Sequence, residues 1–199
     1  MNKTNDISEA QRRFLGLLRE LYGRLVYTHK THEKDREILS RKVAITRWMN
    51  VVLIGITSIL AIVGSISNNQ TVLVITAILG ALSTAFVVYQ LSFNPEKLEA
   101  QHRLAAKRLL CLRDQYLILI ERGMSGQDPI IDLRNRLESL HRETSLVYEY
   151  APDTSARAYK AARLALKFKE EMTFSPEEID LLLPENLRLS STISDDEKN

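Results

Sequence analysis

The stretch HKTHE (29–33) holds three side chains of the kinds that bind metals or carry protons. On a helix, His29, His32 and Glu33 fall on neighbouring turns, so two imidazoles and a carboxylate could share a cation. The spacing is neither HExxH nor HxxEH, and no third cluster of ligands stands elsewhere in the chain. His32 also continues an apolar seam that begins at Phe14, so packing is the reading we take for it. The single cysteine, Cys111, excludes an internal disulfide and suits a reducing compartment; its expected role is a small packing residue rather than a nucleophile. Gly16, Gly23, Gly123 and Gly126 form neither a P-loop nor a dinucleotide fingerprint, and Gly55, Gly64 and Gly80 lie in an apolar stretch. The chain does not read as an enzyme: no catalytic residue, cofactor or metal is expected.

Two further patterns could do physical work. In ARAYKAARLALKFK (156–169), Arg157, Lys160, Arg163 and Lys167 recur by three, three and four, with Ala158, Ala162, Ala165 and Phe168 opposite. Such a stripe is a solvated face, or it meets anions. Lipid headgroups would contribute about 1 kcal/mol per basic residue, and a nucleotide signal or RNA would bind with strong salt dependence. The second pattern is polar but uncharged. Thr57, Ala61 and Ser65 share a helical face, as do Thr76, Gly80 and Thr84, with Ala77, Ala81 and Ala85 beside them. Small residues at that spacing let helices pack closely. Alternatively, Thr57, Ser65, Thr76 and Thr84 line a narrow pore, which two helices cannot enclose without further copies of the chain. Without an intramembrane charge to set selectivity, such a pore would discriminate poorly between ions or gate by dewetting.

These residues need elements to carry them, and the longest is set by charge. Residues 48–95 contain no Asp, Glu, Lys, Arg or His. A net charge of +2 and a mean hydropathy of −0.15 conceal this, because all 27 Lys and Arg and all 25 Asp and Glu lie elsewhere. One helix over the uncharged run would be roughly 72 Å long, more than twice a hydrocarbon core of about 30 Å. Two spans, 48–66 and 72–91, with SNNQT (67–71) as the turn between them, fit instead. The charged stretch ahead of Trp48 and the lack of a small-residue cleavage pattern argue against a signal peptide. Lys34, Arg36, Arg41, Lys42 and Arg47 precede the first span, and Lys97, Arg103, Lys107 and Arg108 follow the second. Both termini are therefore expected in the cytoplasm, with Trp48, Tyr89 and Phe93 at that interface.

Outside the spans, heptad-like seams predict helices. Phe14, Leu18, Leu21, Leu25, Thr28 and His32 form one, and Leu98, His102, Ala105, Leu109, Leu112, Tyr116 and Leu119 a second. Ile130, Leu133, Leu137, Leu140, Thr144 and Val147 form a third. Asn94 before Pro95, Asp128 before Pro129, and Ser175 with Glu178 mark helix starts. The predicted helices run from about residue 6 to the membrane, then over 95–122, 129–150, 155–172 and 176–183. The expected organisation is an all-α membrane protein. Residues 1–47 form a cytoplasmic helix, 48–92 a transmembrane hairpin, 93–189 a cytoplasmic helical bundle, and 190–199 a disordered tail.

Two segments carry a resemblance: FNPEKLEAQHRLAAKRLLCLRDQYLILI (93–120) and YEYAPDTSARAYKAARLALKFKEEMTFSPEEIDLLLPENLR (148–188). They resemble the SLATT family of bacterial two-span effectors, in the subfamily with an extended C-terminal helical part. His102, Arg113, Tyr116 and APDTSARAYKAARLALK are the distinctive features. The resemblance implies an antiviral effector of the bacterial inner membrane that oligomerises and opens a pore upon an infection signal, with abortive infection as the outcome. It also implies a signalling partner, either a nucleotidyltransferase or a reverse transcriptase. A passive membrane anchor that recruits a cytosolic enzyme through the bundle is the alternative.

Overall fold

The computed structural model describes residues 8–169, 171–184 and 188. Among them are six helices and no strand: α1 (Glu9–Ser67), α2 (Gln70–Phe93), α3 (Pro95–Ser125), α4 (Ile130–Tyr150), α5 (Ala156–Phe168) and α6 (Pro176–Leu182). Compact units are formed by residues up to Ala162 and by those from Arg163 onward. The tail 190–199 lies outside the described residues.

α1 is 59 residues long, or about 88 Å. Its inward side is a single stripe: Gln11, Phe14, Leu18, Leu21, Leu25, Thr28, His32, Asp35, Leu39, Val43, Thr46, Asn50, Leu53, Thr57, Leu60 and Gly64, each buried or half-buried. The steps alternate three and four, as in a heptad repeat, except for consecutive fours at Asp35–Leu39–Val43. That extra four-residue step is a stutter. The stripe changes company near it: α1 packs most extensively against α3, and then against α2.

Before the stutter, Phe14, Leu15, Leu18 and Leu25 join Leu109, Leu112, Tyr116 and Leu119 of α3 and Leu133, Leu137 and Leu140 of α4 in one apolar core. The three seams read from the sequence are therefore the three buried faces of a helical body. Leu98, at the end of the second seam, is the exception and remains exposed. Beyond the stutter, α1 and α2 form a hairpin whose outer surface is Val, Ile and Leu. Both helices that enter it are long and apolar enough to cross a membrane.

Asn94 joins α2 to α3 in the left-handed conformation, φ 38°. Its N–H closes α2 on the Gln90 carbonyl, while its side chain accepts from Lys97 N and caps α3. Pro95 follows and has no N–H with which to continue a helix. Asparagine tolerates the left-handed region better than most residues, so one position both ends and begins a helix.

Other boundaries differ from expectation. Asp128 does not cap α4. Its carboxylate is taken by Arg122 Nε at 2.6 Å, and Pro129 occupies the N-cap position without a side-chain bond. A charge-assisted bond to a guanidinium outcompetes a backbone N–H. In the second unit, α5 stops at Phe168 rather than 172. The Lys169 and Glu171 N–H groups reach back to Leu164 and Ala165, and Met172 takes φ 80°. Ser175 and Glu178 then form the expected capping box on α6.

Leu109 is fully buried at the centre of the body, so Leu109→Ala should cost about 3 kcal/mol of stability. Exposed Gln101→Ala should change it by less than about 0.5 kcal/mol. Denaturant unfolding of the detergent-solubilised protein, followed by loss of helical signal, distinguishes the two; equal effects would contradict the assigned core.

Candidate functional site in the membrane hairpin

The hairpin reverses in two residues. Asn68 takes the left-handed conformation at the end of α1, and Asn69 accepts from Thr71 N and Val72 N to cap α2. Gln70 and Thr71, grouped with the turn above, already belong to α2. Gly64 fits because a Cβ there would lie 3.0 Å from Leu73 Cδ2 and 3.1 Å from Val72 Cγ1. Further along, Thr57 Cγ2 approaches Gly80, and the Gln90 amide donates to the Thr46 carbonyl at 3.5 Å. These contacts define one antiparallel register from turn to base. By that register Ser83 lies level with Leu53, and Thr76 with Leu60.

The four pore candidates separate onto two surfaces. Thr57 and Thr76 are half-buried along the seam between α1 and α2, whereas Ser65 and Thr84 are exposed on the outward faces. The hydroxyls of Thr57, Thr76 and Thr84 donate to carbonyls one turn back, those of Leu53, Val72 and Gly80, at 2.7, 2.8 and 3.0 Å. Three seam residues, Asn50, Ser83 and Gln90, escaped the sequence reading. Asn50 Oδ1 and Ser83 Oγ are buried without a hydrogen-bond partner. Spacing was the available signal: Asn50 precedes Thr57 by seven residues, and Ser83 lies midway between Thr76 and Gln90.

At the base of the hairpin, Arg47 bonds Glu96 through Nη2 at 2.7 Å, tying the end of the first apolar stretch to the start of α3. Trp48, Tyr89 and Phe93 are all exposed at this level, and the Tyr89 and Phe93 rings lie 4.5 Å apart. Aromatic side chains in this position suit the boundary between lipid and water.

Between hairpin and core lies a polar layer. His29, Lys30, Thr31 and His32 are all buried, so α1 is covered on every side there. His32 Nδ1 sits 2.9 Å from His102 Nδ1, which requires one ring nitrogen to carry the proton and the other to be bare. His29 does not join them. Its Nε2 lies 3.9 Å from Glu33, whose other oxygen receives Lys30 Nζ. The HKTHE side chains thus point to different partners instead of one cation. Asp35 accepts from Ser155 N and Oγ at 2.9 and 2.6 Å, and Ser155 Oγ in turn receives the Ala158 N–H that opens α5. Tyr27 packs on Tyr159 at the same joint.

Arg157 and Lys160 are exposed on the part of α5 within the first unit, and Arg163 and Lys167 are exposed in the second. Ala158 and Ala162 are buried as the pattern implied, but Phe168, expected on the apolar side, is 74% exposed where the helix ends. Cys111 is also exposed, contrary to its expected packing role, because it falls between the inward residues Leu109 and Leu112 on the far side of α3.

Burial pushes the His32 pKa down from 6.5 to about 4, and neighbouring His102 pushes the same way against Asp35. Burial also lowers His102, opposed by Asp35, and lowers His29, opposed by Glu33. Between pH 6.5 and 4 the unfolded chain binds protons that the folded chain does not, so stability should fall as the pH drops through this window. Thermal unfolding across that range should show the slope, and His32→Leu with His102→Leu should flatten it. An unchanged slope in the double variant would show that the pair does not titrate as placed.

No curated protein and no solved structure matches the chain. A family model does, over residues 14–178, from the first core phenylalanine through the capping box of α6. The match takes in the whole hairpin and the helical body, and the chain belongs to the SMODS and SLOG-associating 2TM effector domain family 4.

Proposed function

We propose that the chain is an effector of a bacterial anti-phage system, seated in the inner membrane with both termini cytoplasmic, which assembles and depolarises the cell when its system signals. The observation that carries this reading is mechanical. α1 runs unbroken from the body core to the tip of the hairpin, and α3 is joined to α2 through Asn94 alone. A displacement of α1 against α3 in the body therefore reaches both spans. A passive anchor needs one span and a flexible link; this chain has two spans and rigid connections.

The basic residues flanking the hairpin base, Lys42, Arg47 and Lys97 among them, support the orientation. Self-association finds support on α3, where Leu104, Cys111 and Ile118 recur every seven residues on its exposed side. That stripe resembles a further seam without a partner among the described residues. The family description names association with SMODS and SLOG, consistent with a nucleotide-signalling neighbour, and the exposed Arg157 and Lys160 are available to an anionic lipid or ligand.

Two measurements test the proposal. Membrane potential, read with a voltage-sensitive dye, should collapse when the chain is expressed with its genomic neighbours and phage is added. It should hold when residues 48–92 are replaced by an unrelated two-span hairpin. A steady potential, with the native protein confirmed in the membrane and its system active, would favour the anchor. Separately, a short bismaleimide should cross-link the native chain into a covalent dimer through Cys111, more strongly after the trigger. Cys111→Ser should abolish the product, and monomer alone under all conditions would place assembly elsewhere.

A further inference from the structure

We infer that water and ions in the active assembly pass along the seam between α1 and α2, walled by Asn50, Thr57, Thr76, Ser83 and Gln90, and not along the outward faces that carry Ser65 and Thr84. The inference rests on the pore-forming reading above and specifies its path.

The polar groups of the hairpin are sorted. Outward, the surface is Val, Ile and Leu broken by hydroxyls: Ser58 donates to Ile54, Thr84 to Gly80 and Ser92 to Val88 on their own helices, and exposed Ser65 lies close to the turn. Hydroxyls bonded on their own helix can face hydrocarbon at little penalty, since no donor is left unmade. Along the seam the pattern is different. Asn50 and Thr57 are seven residues apart on α1, and Thr76, Ser83 and Gln90 are seven apart on α2. With the register set by Gly64, Thr57 and Thr46, successive levels from Thr46–Gln90 to Leu60–Thr76 each hold at least one polar side chain. A seam built only for adhesion in lipid would use small apolar residues or paired polar ones.

Thr57 and Thr76 donate to carbonyls of their own helices, but Asn50, Ser83 and Gln90 are poorly used in the closed hairpin. Ser83 is 7% exposed and its Oγ has no partner, and Asn50 Oδ1 is likewise buried and unpaired. Gln90 reaches Thr46 only at 3.5 Å, the limit of a hydrogen bond. A buried polar group without a partner has lost its water and received nothing in exchange, so wetting the seam returns free energy. The α1–α2 contact is thus weakened along the line that conduction requires. Parting it exposes amides and hydroxyls, while the lipid-facing surface stays apolar. Two helices do not enclose a channel, so seams from several copies must face one axis. A wall of uncharged amides and hydroxyls should pass small hydrated cations and anions with little preference.

The test uses the full-length chain with Cys111 retained, expressed with its genomic neighbours, and single substitutions Asn50→Cys, Ser83→Cys, Ser65→Cys and Thr84→Cys, with the native chain treated alike as the control for reaction at Cys111. The probe is a membrane-impermeant cationic methanethiosulfonate. After phage challenge it should abolish depolarisation in the Asn50→Cys and Ser83→Cys variants and label them only once triggered. Ser65→Cys and Thr84→Cys should depolarise regardless of the reagent. Block at Ser65→Cys or Thr84→Cys, with the seam variants unaffected, overturns the inference while leaving a pore. Failure of the native chain to depolarise removes the pore and the path together. Ser83→Ala guards against misfolded cysteine variants. By removing the unpartnered hydroxyl it should stabilise the closed hairpin and raise the phage dose needed for depolarisation. Thr84→Ala should leave that dose unchanged, and equal behaviour of the two would count against the seam.

Discussion

One stripe on one helix has to satisfy two solvents. In water, α1 buries Phe14, Leu18 and Leu25 because apolar surface is expelled from water. In lipid that force vanishes, since the outward Ile and Leu residues are as comfortable against acyl chains as against each other. There the contact with α2 depends on close approach at Gly64 and on the few polar contacts across the seam, such as Gln90 to Thr46. The same heptad spacing serves both, but the side chains along it change at the boundary from Leu and Phe to Thr, Asn and Gly. The body can therefore be firmly held while the hairpin remains the softer contact, within a single uninterrupted element.

The polar layer at His29–His32 sits where these regimes meet. Burying a lysine, two histidines and a threonine together is unfavourable unless each finds a partner. Lys30 meets Glu33, His32 meets His102 and Thr31 donates to the Tyr27 carbonyl, while His29 Nδ1 is buried without a partner. An apolar layer of equal volume would hold α1 and α3 together more simply, but it would slide. The His32–His102 bond, with its fixed direction, holds one alignment of α1 against α3, and Asp35 extends that alignment to the start of α5 through Ser155.

Most of the architecture was legible because it rests on periodicity. The uncharged run, the three seams, the helix start at Asn94–Pro95 and the Ser175–Glu178 box are local patterns with few competing readings. What failed depended on a specific rival. Asp128 reads as an N-cap until Arg122, six residues earlier, claims its carboxylate. Phe168 belongs to an apolar face only if the helix continues, and it ends there. Cys111 looks like a core residue by type, yet its phase on α3 turns it outward. The His32–His102 pair joins positions 70 residues apart, so neither local spacing nor composition could connect them. Asn50, Ser83 and Gln90 went unread because steps of four, which pick out Thr57 and Thr76, do not reach residues seven apart.

The stutter has an arithmetic of its own. A straight helix falls about 20° behind a seven-residue repeat with every heptad, so each half of α1 winds gently left-handed around its partner. From His32 to Val43 the steps are three, four and four. Eleven residues make three turns with a small surplus, so the winding pauses over this segment. α1 is thus two coils of like hand joined by an untwisted shaft, with its length in residues fixing the azimuth of one relative to the other. One residue added to the shaft would turn the hairpin about 100° around the axis of α1, against the Asn94 junction and the Arg47–Glu96 bond that hold its base to α3. The chain keeps its aim by counting, which makes the number of residues between His32 and Val43 as much a part of the device as their identity.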